Sequence, residues 1–351
     1  MQVVRNLALG ALAVTIFACG GVTSGVKTTS FGTPVVIAVP DNGNTTLTGF
    51  AANGKMVGNF VANGSSTSVP YYWESPTATP AMLQGTDCYA NAINSSGAIV
   101  GNMQTGSGNQ LAAFWGSPQS APVTLPEAPA TPHQTNATSI NESNVIVGQD
   151  GSFGVYWDAS HATAYAFGGP NLEGVYNAAI ADSGTIYFTI YSSLTNNLAH
   201  RLCTFTNFPN EPAAYVPGTN AHSAYSEFVA LNRFRGQAAI LDTNLGGVPS
   251  GSEVLLDPAF APSQLTGTDA RVKYVGDDGV YCGAEGFGVD QFAVIWQSGI
   301  SKPVNMNNLI PPGSGLVLTD ALFQTSDGGV IGIARQTSSG ESVYFFVPRA
   351  P

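Results

Sequence analysis

The chain has 351 residues, a formal net charge of −11, 41 Gly, 22 Pro and only 9% charged residues. So few Lys and Arg, all scattered, argue against a nucleic-acid binder, which needs a clustered basic face. The wealth of Gly and Pro, with Ser, Thr and Asn between apolar runs, argues for short strands and turns. No window holds a sustained 3.6-residue apolar period, so the expected class is all-β.

In chain order, Met1–Ala18 carries one charge, Arg5, followed by an uncharged run from Leu7 to Ala18. That run is too short to cross a bilayer, which takes roughly 20 helical residues. It has the layout of a secretory signal. Ile16-Phe17-Ala18-Cys19-Gly20 resembles a lipobox, although Phe17 is bulkier than usual for its place. The resemblance implies cleavage before Cys19, lipid on that cysteine, and anchorage to the cell envelope at the outer membrane or cell surface. Residues 19–32 then read as a flexible tether rich in Gly, Ser and Thr. Loss of Arg5 leaves ten basic residues and moves the formal charge from −11 to −12. If Cys19 is lipidated, Cys88, Cys203 and Cys282 cannot all pair with one another. The expectation is that they are small buried hydrophobes on strands, with a disulfide left open.

From residue 33 onward the chain is a repeat. The template is Asn91-Ala-Ile-Asn-Ser-Ser-Gly97-Ala-Ile-Val-Gly101, matched around anchors at 54, 97, 144, 184, 236, 279 and 328. The spacings are 43, 47, 40, 52, 43 and 49 residues. Unit four has Phe188 where the template has its final glycine, and unit five needs an insertion. All four tryptophans, Trp73, Trp115, Trp157 and Trp296, close an apolar run 13 to 19 residues after an anchor. Cys203-Thr204-Phe205 and Tyr344-Phe345-Phe346 fill that slot in two further units.

Each unit parses into an apolar strand, a Gly/Asn turn, a second strand, an aromatic third strand and a short fourth. Four strands per 40–50 residues is the period of a β-propeller blade. Pro34–Pro40 looks like a fourth strand with nothing before it, and the last unit stops after its third strand near Val347. The expected fold over 33–351 is therefore a β-propeller of seven four-stranded blades closed by the N-terminal strand. A β-solenoid or two packed β-domains are the alternatives.

These units resemble the bacterial extracellular HAF repeat. Ala92-Ile93-Asn94, Gly97, Val100-Gly101 and Ala113-Phe114-Trp115 match its pattern, with Ala112 replacing its histidine. Asn308–Gly315 also resembles a segment found before the final repeat of such proteins. The resemblance implies an extracytoplasmic location and no particular activity.

The acidic residues Glu142, Asp182, Asp277, Asp278 and Asp327 recur in the repeat's turn, which favours turn geometry over acid–base chemistry. The Asp277-Asp278-Gly279 run lacks the further oxygen ligands of a calcium loop. His133, His161, His200 and His222 have no zinc-ligand spacing. Gly286-Phe287-Gly288 lacks the strand-to-helix context of a phosphate loop. No catalytic residue, metal or cofactor is expected. The first reading is a monomeric, non-catalytic binding module of the envelope for a protein or glycan, with loop Asn207–Pro212 shaping its face. The second is a polysaccharide lyase or glycosidase drawing on Asp242, Asp257, Asp269, Arg271 and Arg201 at a central funnel. A passive structural surface protein is the third.

Overall fold

A computed structural model describes residues 30–106, 108–128, 134–168, 174–192, 199–205, 213–215, 226–232, 237–242, 252–256, 262–264, 271–276, 280–296 and 302–351. The signal, Cys19 and most of the expected tether lie outside them.

The described strands form seven four-stranded antiparallel sheets. Blade 1 holds β2 (Gly43–Phe50), β3 (Met56–Ala62), β4 (Ser68–Trp73) and β5 (Ala81–Met82). Blade 2 holds β6 (Cys88–Ile93), β7 (Ile99–Gln104), β8 (Gln110–Trp115) and β9 (Val123–Thr124). Blade 3 comprises β10 (Thr135–Ile140), β11 (Ile146–Asp150), β12 (Phe153–Trp157) and β13 (Ala164–Phe167). Blade 4 comprises β14 (Gly174–Ile180), β15 (Ile186–Ser192), β16 (Ala199–Phe205) and β17 (Ala214–Tyr215). Blade 5 is β18 (Ser226–Asn232), β19 (Gln237–Asp242), β20 (Ser252–Leu256) and β21 (Pro262–Gln264). Blade 6 is β22 (Arg271–Val275), β23 (Tyr281–Glu285), β24 (Phe292–Trp296) and β25 (Val304–Asn305). Blade 7 takes β26 (Leu316–Gln324), β27 (Val330–Gln336) and β28 (Ser342–Val347) from the C-terminus, and β1 (Val35–Val36) from the start of the chain. Val35 and Val36 pair with Phe346 and Phe345. The fold is a seven-bladed β-propeller, closed by its N-terminal strand as expected.

Within each sheet the order is sequential, here termed A to D. First strands of neighbouring blades pack against one another, so they line the axis and the D strands lie outside. Antiparallel pairing puts the A–B turns and C–D loops on one rim, and the B–C and D–A loops on the other. Most D strands span only two or three residues, a short edge that blunts strand addition by another chain.

The repeat anchors are the residues that close the A–B turn. Gly54, Gly97, Asn144, Gly184 and Gly328 have φ of 85°, 92°, 61°, 87° and 85°. Each donates its N–H to the carbonyl three residues back: Ala51, Asn94, Asn141, Ala181 and Thr325. This is a hairpin with a left-handed residue after the turn, which explains Gly or Asn at that place. The anchors at 236 and 279 lie outside the described residues.

The second repeat glycine answers a different constraint. Strand A carries a bulge in every blade, at Leu47/Gly49, Ala90/Ala92, Ala137/Ser139, Val175/Asn177, Phe228/Ala230, Val272/Tyr274 and Ala321/Phe323. In five blades a strand-B glycine faces it. A Cβ on Gly101, Gly148, Gly283 or Gly332 would lie 1.8–2.0 Å from a strand-A carbonyl, and one on Gly58 would lie 2.6 Å from such a carbonyl. Blade 5 has Ile240 at that place, and blade 4 lacks the glycine too. There the bulge falls between the partners Thr189 and Ile190, beyond Phe188.

The bulged residues bind the next blade. Thr48 Oγ1 donates to Ala90 O (2.6 Å), Asn91 Nδ2 to Ala137 O (2.9 Å) and Thr138 Oγ1 to Ala178 O (2.8 Å). The core is accordingly a ring of wedges between blades, such as Val57, Tyr72, Leu83, Ala90, Ile99 and Trp115 between blades 1 and 2. All four tryptophans are fully buried. Trp73, Trp115 and Trp157 donate their indole N–H to Ala38, Gln84 and Pro126, each two residues past the D strand of the preceding blade. The Trp73 bond to Ala38 independently places β1 in blade 7. Phe205 fills the slot in blade 4 and Val347 in blade 7, since both pair with the first residue of strand B. In the last unit the slot thus lies one residue beyond the Tyr344–Phe346 run expected to fill it.

Residues 30–32, read from composition as the end of the tether, are docked. Phe31 is buried, donates its N–H to Leu309 O and pairs with Arg349. Cys88, Cys203 and Cys282 are buried, as their strand positions suggested, and the disulfide that the sequence left open is not formed among them. Burial, then the charge of Asp87, pushes the Cys88 thiol up, away from reactivity.

Candidate functional site

The two rims differ. On the A–B rim the turns are stitched to one another from blade 7 round to blade 4. Ser326 N–H donates to Ala52 O (2.7 Å), Asn53 Nδ2 to Ser95 O (2.9 Å), and Ser95 N–H to both oxygens of Glu142 (3.1 and 3.0 Å). Glu142 N–H in turn donates to Asp182 Oδ1 (3.0 Å). Beneath them Asn94 Nδ2 reaches Asn141 O (3.1 Å), and Asn141 Nδ2 reaches Ala181 O (3.3 Å). Glu142 and Asp182 therefore cap the backbone of the preceding blade, and Asp327 caps its own turn through Thr325 and Gly329. Their recurrence reflects this clamp. Sequence spacing could not show that the clamp runs between blades.

The B–C/D–A rim is built differently, and two depressions on it lie among the described residues. One, of about 580 Å³, lies between the B–C loop of blade 6 and the D–A segment leading into blade 7. Its walls include Val289, Gln291, Phe292, Ile310, Pro311 and Leu316. The B–C loop is held from several sides. The guanidinium of Arg271 sits 4.5 Å from the centre of the Phe287 ring and donates to Gly286 O (2.8 Å). Gln291 Nε2 donates to Thr319 O, and Arg335 donates to Val289 O (both 3.3 Å). This loop nevertheless presents Phe287 at 59% and Val289 at 74% exposure. A preordered loop with two bare apolar side chains is a surface prepared for contact. The Gly286-Phe287-Gly288 run, unremarkable as a motif, is its tip. The Asn308–Gly315 segment forms the opposite wall.

The second depression, of about 610 Å³, opens between blades 1 and 2 near the axis. It is lined from β2, β3, the following loop and β6, and holds amides, hydroxyls and the Tyr89 ring without a charged group.

The residues named for chemistry stay apart or undescribed. His161 takes a left-handed backbone (φ 55°), contacts Asn144 O through Nε2 (2.7 Å) and packs edge-on against Phe114, so its role is structural. His133, His222, Asp257, Asp269, Asp277, Asp278 and Asn207–Pro212 lie outside the described residues, as do the side chains of His200, Arg201 and Asp242. No cluster of metal-ligating groups occurs among the described residues. Arg271 is the one funnel candidate that can be placed. Near it stands Asp320 on β26, whose Oδ1 is buried without a partner. Burial pushes the Asp320 carboxyl up, opposed by Lys273 and Arg271. A glycosidase needs two carboxylates flanking the bond, and the charges acting on Asp320 are both cationic.

No protein-family model and no curated protein matches the chain. Solved structures do. The β-propeller domain of the Trilobed protease from Pyrococcus furiosus, an open-velcro propeller, is similar at 9% identity and TM-score 0.59, over 88% of this chain and 94% of that one. The WD40 propeller domain of Doa1 is similar at 13% identity and TM-score 0.51, over 89% and 96%. YCF48 bound to D1 peptide is similar at 12% identity and TM-score 0.50, over 90% and 100%. At such identities the likeness is of fold.

Proposed function

We propose that this chain is an exported lipoprotein of the HAF-repeat type, cleaved before Cys19 and anchored to the cell envelope by lipid on that residue. Its propeller works as a monomeric, non-catalytic interaction module that receives a protein partner on the B–C/D–A rim. One observation carries the reading: one rim spends its polar turn groups on its neighbours, while the other presents a braced loop with bare apolar side chains beside a cavity. Repeat scaffolds place binding on loops of one face. YCF48, a propeller of similar fold, has been solved with a peptide bound. That supports the reading by analogy of fold alone.

The test is in-cell crosslinking of the full-length chain, followed by affinity purification, with a Cys19→Ala copy alongside. A dominant envelope partner, recovered with the native chain and lost with the unanchored copy, is expected. Recovery of nothing above background from the native chain would count against an interaction module. An unchanged membrane fraction for Cys19→Ala would count against the anchor.

A further inference from the structure

The depression between blades 1 and 2 has a chemistry of its own. Along β2 every second side chain points outward, so Asn44, Thr46 and Thr48 are exposed between less exposed neighbours. They face β6, where Tyr89 is 37% exposed. Asn63 and Ser68 complete the wall. The lining thus contains amides, hydroxyls and one phenol ring, with Val61 and Ala62 beside them, in a cavity of about 610 Å³.

Some of these groups are already committed. The amide of Asn59 is closed on Ala90, donating to its carbonyl (2.9 Å) and accepting from its N–H (2.8 Å). Thr48 Oγ1 donates to the same carbonyl. Asn91 Nδ2 donates to Asn136 Oδ1 (2.7 Å) and Ala137 O. These bonds make the floor rigid. The Ser68 side chain is 99% buried in the wall, and its hydroxyl has no hydrogen-bond partner. Asn44, Thr46 and Asn63 are exposed and line the opening.

We infer that this pocket binds an uncharged oligosaccharide. The inference rests on the B–C/D–A rim being the working face, but on a different site from the Phe287 loop. Neutral amides and hydroxyls match the alternating donors and acceptors of sugar hydroxyls. An amphipathic phenol ring offers its face to the apolar side of a pyranose and its hydroxyl to the polar side. A chain of net charge −11 with no cation in this lining would repel anionic glycans. A peptide would find bare apolar side chains, Phe287 and Val289, beside the other depression. The rigid floor means little ordering is needed on binding.

The test uses the detergent-solubilised full chain and a panel of malto-, cello-, laminari-, manno- and N-acetylchito-oligosaccharides, measured by titration calorimetry. At least one neutral oligosaccharide should bind saturably. Tyr89→Ala, and separately Asn44→Ala with Thr46→Ala, should each weaken it at least about tenfold, which is about 1.4 kcal/mol. All three residues are at least partly exposed, so the variants should keep the parent melting curve. Phe287→Ala should leave saccharide binding unchanged. No binding across the panel would overturn the inference, as would affinity insensitive to both blade 1–2 variants, or Tyr89-dependent retention of peptides in its place. Were saccharides to fail while an envelope protein is still captured through the Phe287 loop, this inference alone would fall. Failure of both would remove the rim reading as well.

Discussion

Replacing Gly101 by Ala should be among the most damaging single-methyl additions available. Its Cβ would sit 1.8 Å from Tyr89 O and 3.1 Å from Ala90 Cα. Relief to an ordinary contact needs β6 and β7 to part by about 1.6 Å, far beyond what close-packed interiors absorb without loss. Ala90 is where blade 1 grips blade 2, through two bonds from Asn59 and one from Thr48. Overpacking costs about 1–3 kcal/mol, and three weakened hydrogen bonds add about 1 kcal/mol each, giving about 4–6 kcal/mol. Gly64→Ala is the control. Its φ is +79° but nothing lies within 4 Å of the added methyl, so only the left-handed backbone penalty of about 1 kcal/mol applies. For a domain of this size, Tm should fall by about 6–9 °C for Gly101→Ala and about 2 °C for Gly64→Ala. Differential scanning calorimetry at matched scan rate reads both. Equal losses, or a larger one at Gly64, would refute the argument that the second repeat glycine exists for the strand-A bulge.

Three further outcomes follow from the same geometry. Trp115→Phe should lower stability by about 2 kcal/mol, since it leaves Gln84 O without its donor and opens space in a closed wedge; urea unfolding checks it, and a neutral result would mean the indole slot is mere filling. Asp320→Asn should stabilise the protein at pH 7.5, with the gain shrinking as the pH falls. The folded carboxyl has its pKa raised by burial, so the native state holds that proton more tightly than the unfolded chain, and ionisation at neutral pH works against folding. Melting curves of both proteins at pH 7.5 and 4.5 test the sign, and a gain that grows toward acid would contradict it. Reductant should leave the Tm unchanged, because Cys88, Cys203 and Cys282 carry no disulfide; a drop on reduction would overturn that.

The repeat was legible because two local constraints write themselves into the sequence. A left-handed residue closes each described A–B turn, and in five blades a residue without Cβ faces the bulge, so Gly97 and Gly101 recur as a pair. The tryptophan slot was visible for a similar reason: in three wedges the indole reaches the backbone just past the preceding D strand. The bonds that join blades were not legible. Thr48 meets Ala90 and Glu142 meets Ser95, partners 42 and 47 positions apart, and no local pattern names them. The two depressions were also hidden. Asn44 and Thr46 are ordinary strand residues until β6 is brought beside them. Gly286-Phe287-Gly288 acquires meaning only when Arg271, Gln291 and Arg335 hold the loop in place. The tether was read to residue 32 because Gly, Ser and Thr fill it, but Phe31 has a pocket to enter.

The most direct test of the binding-rim account is site-specific photocrosslinking in cells. A photoreactive residue is placed at Phe287 or Val289 on one rim, and at Asn53 or Ser96 on the other. The account predicts a discrete adduct from the Phe287 and Val289 positions and none from the A–B rim. Adducts from Asn53 or Ser96 alone would contradict it, placing the partner on the rim whose turns are already bound to one another.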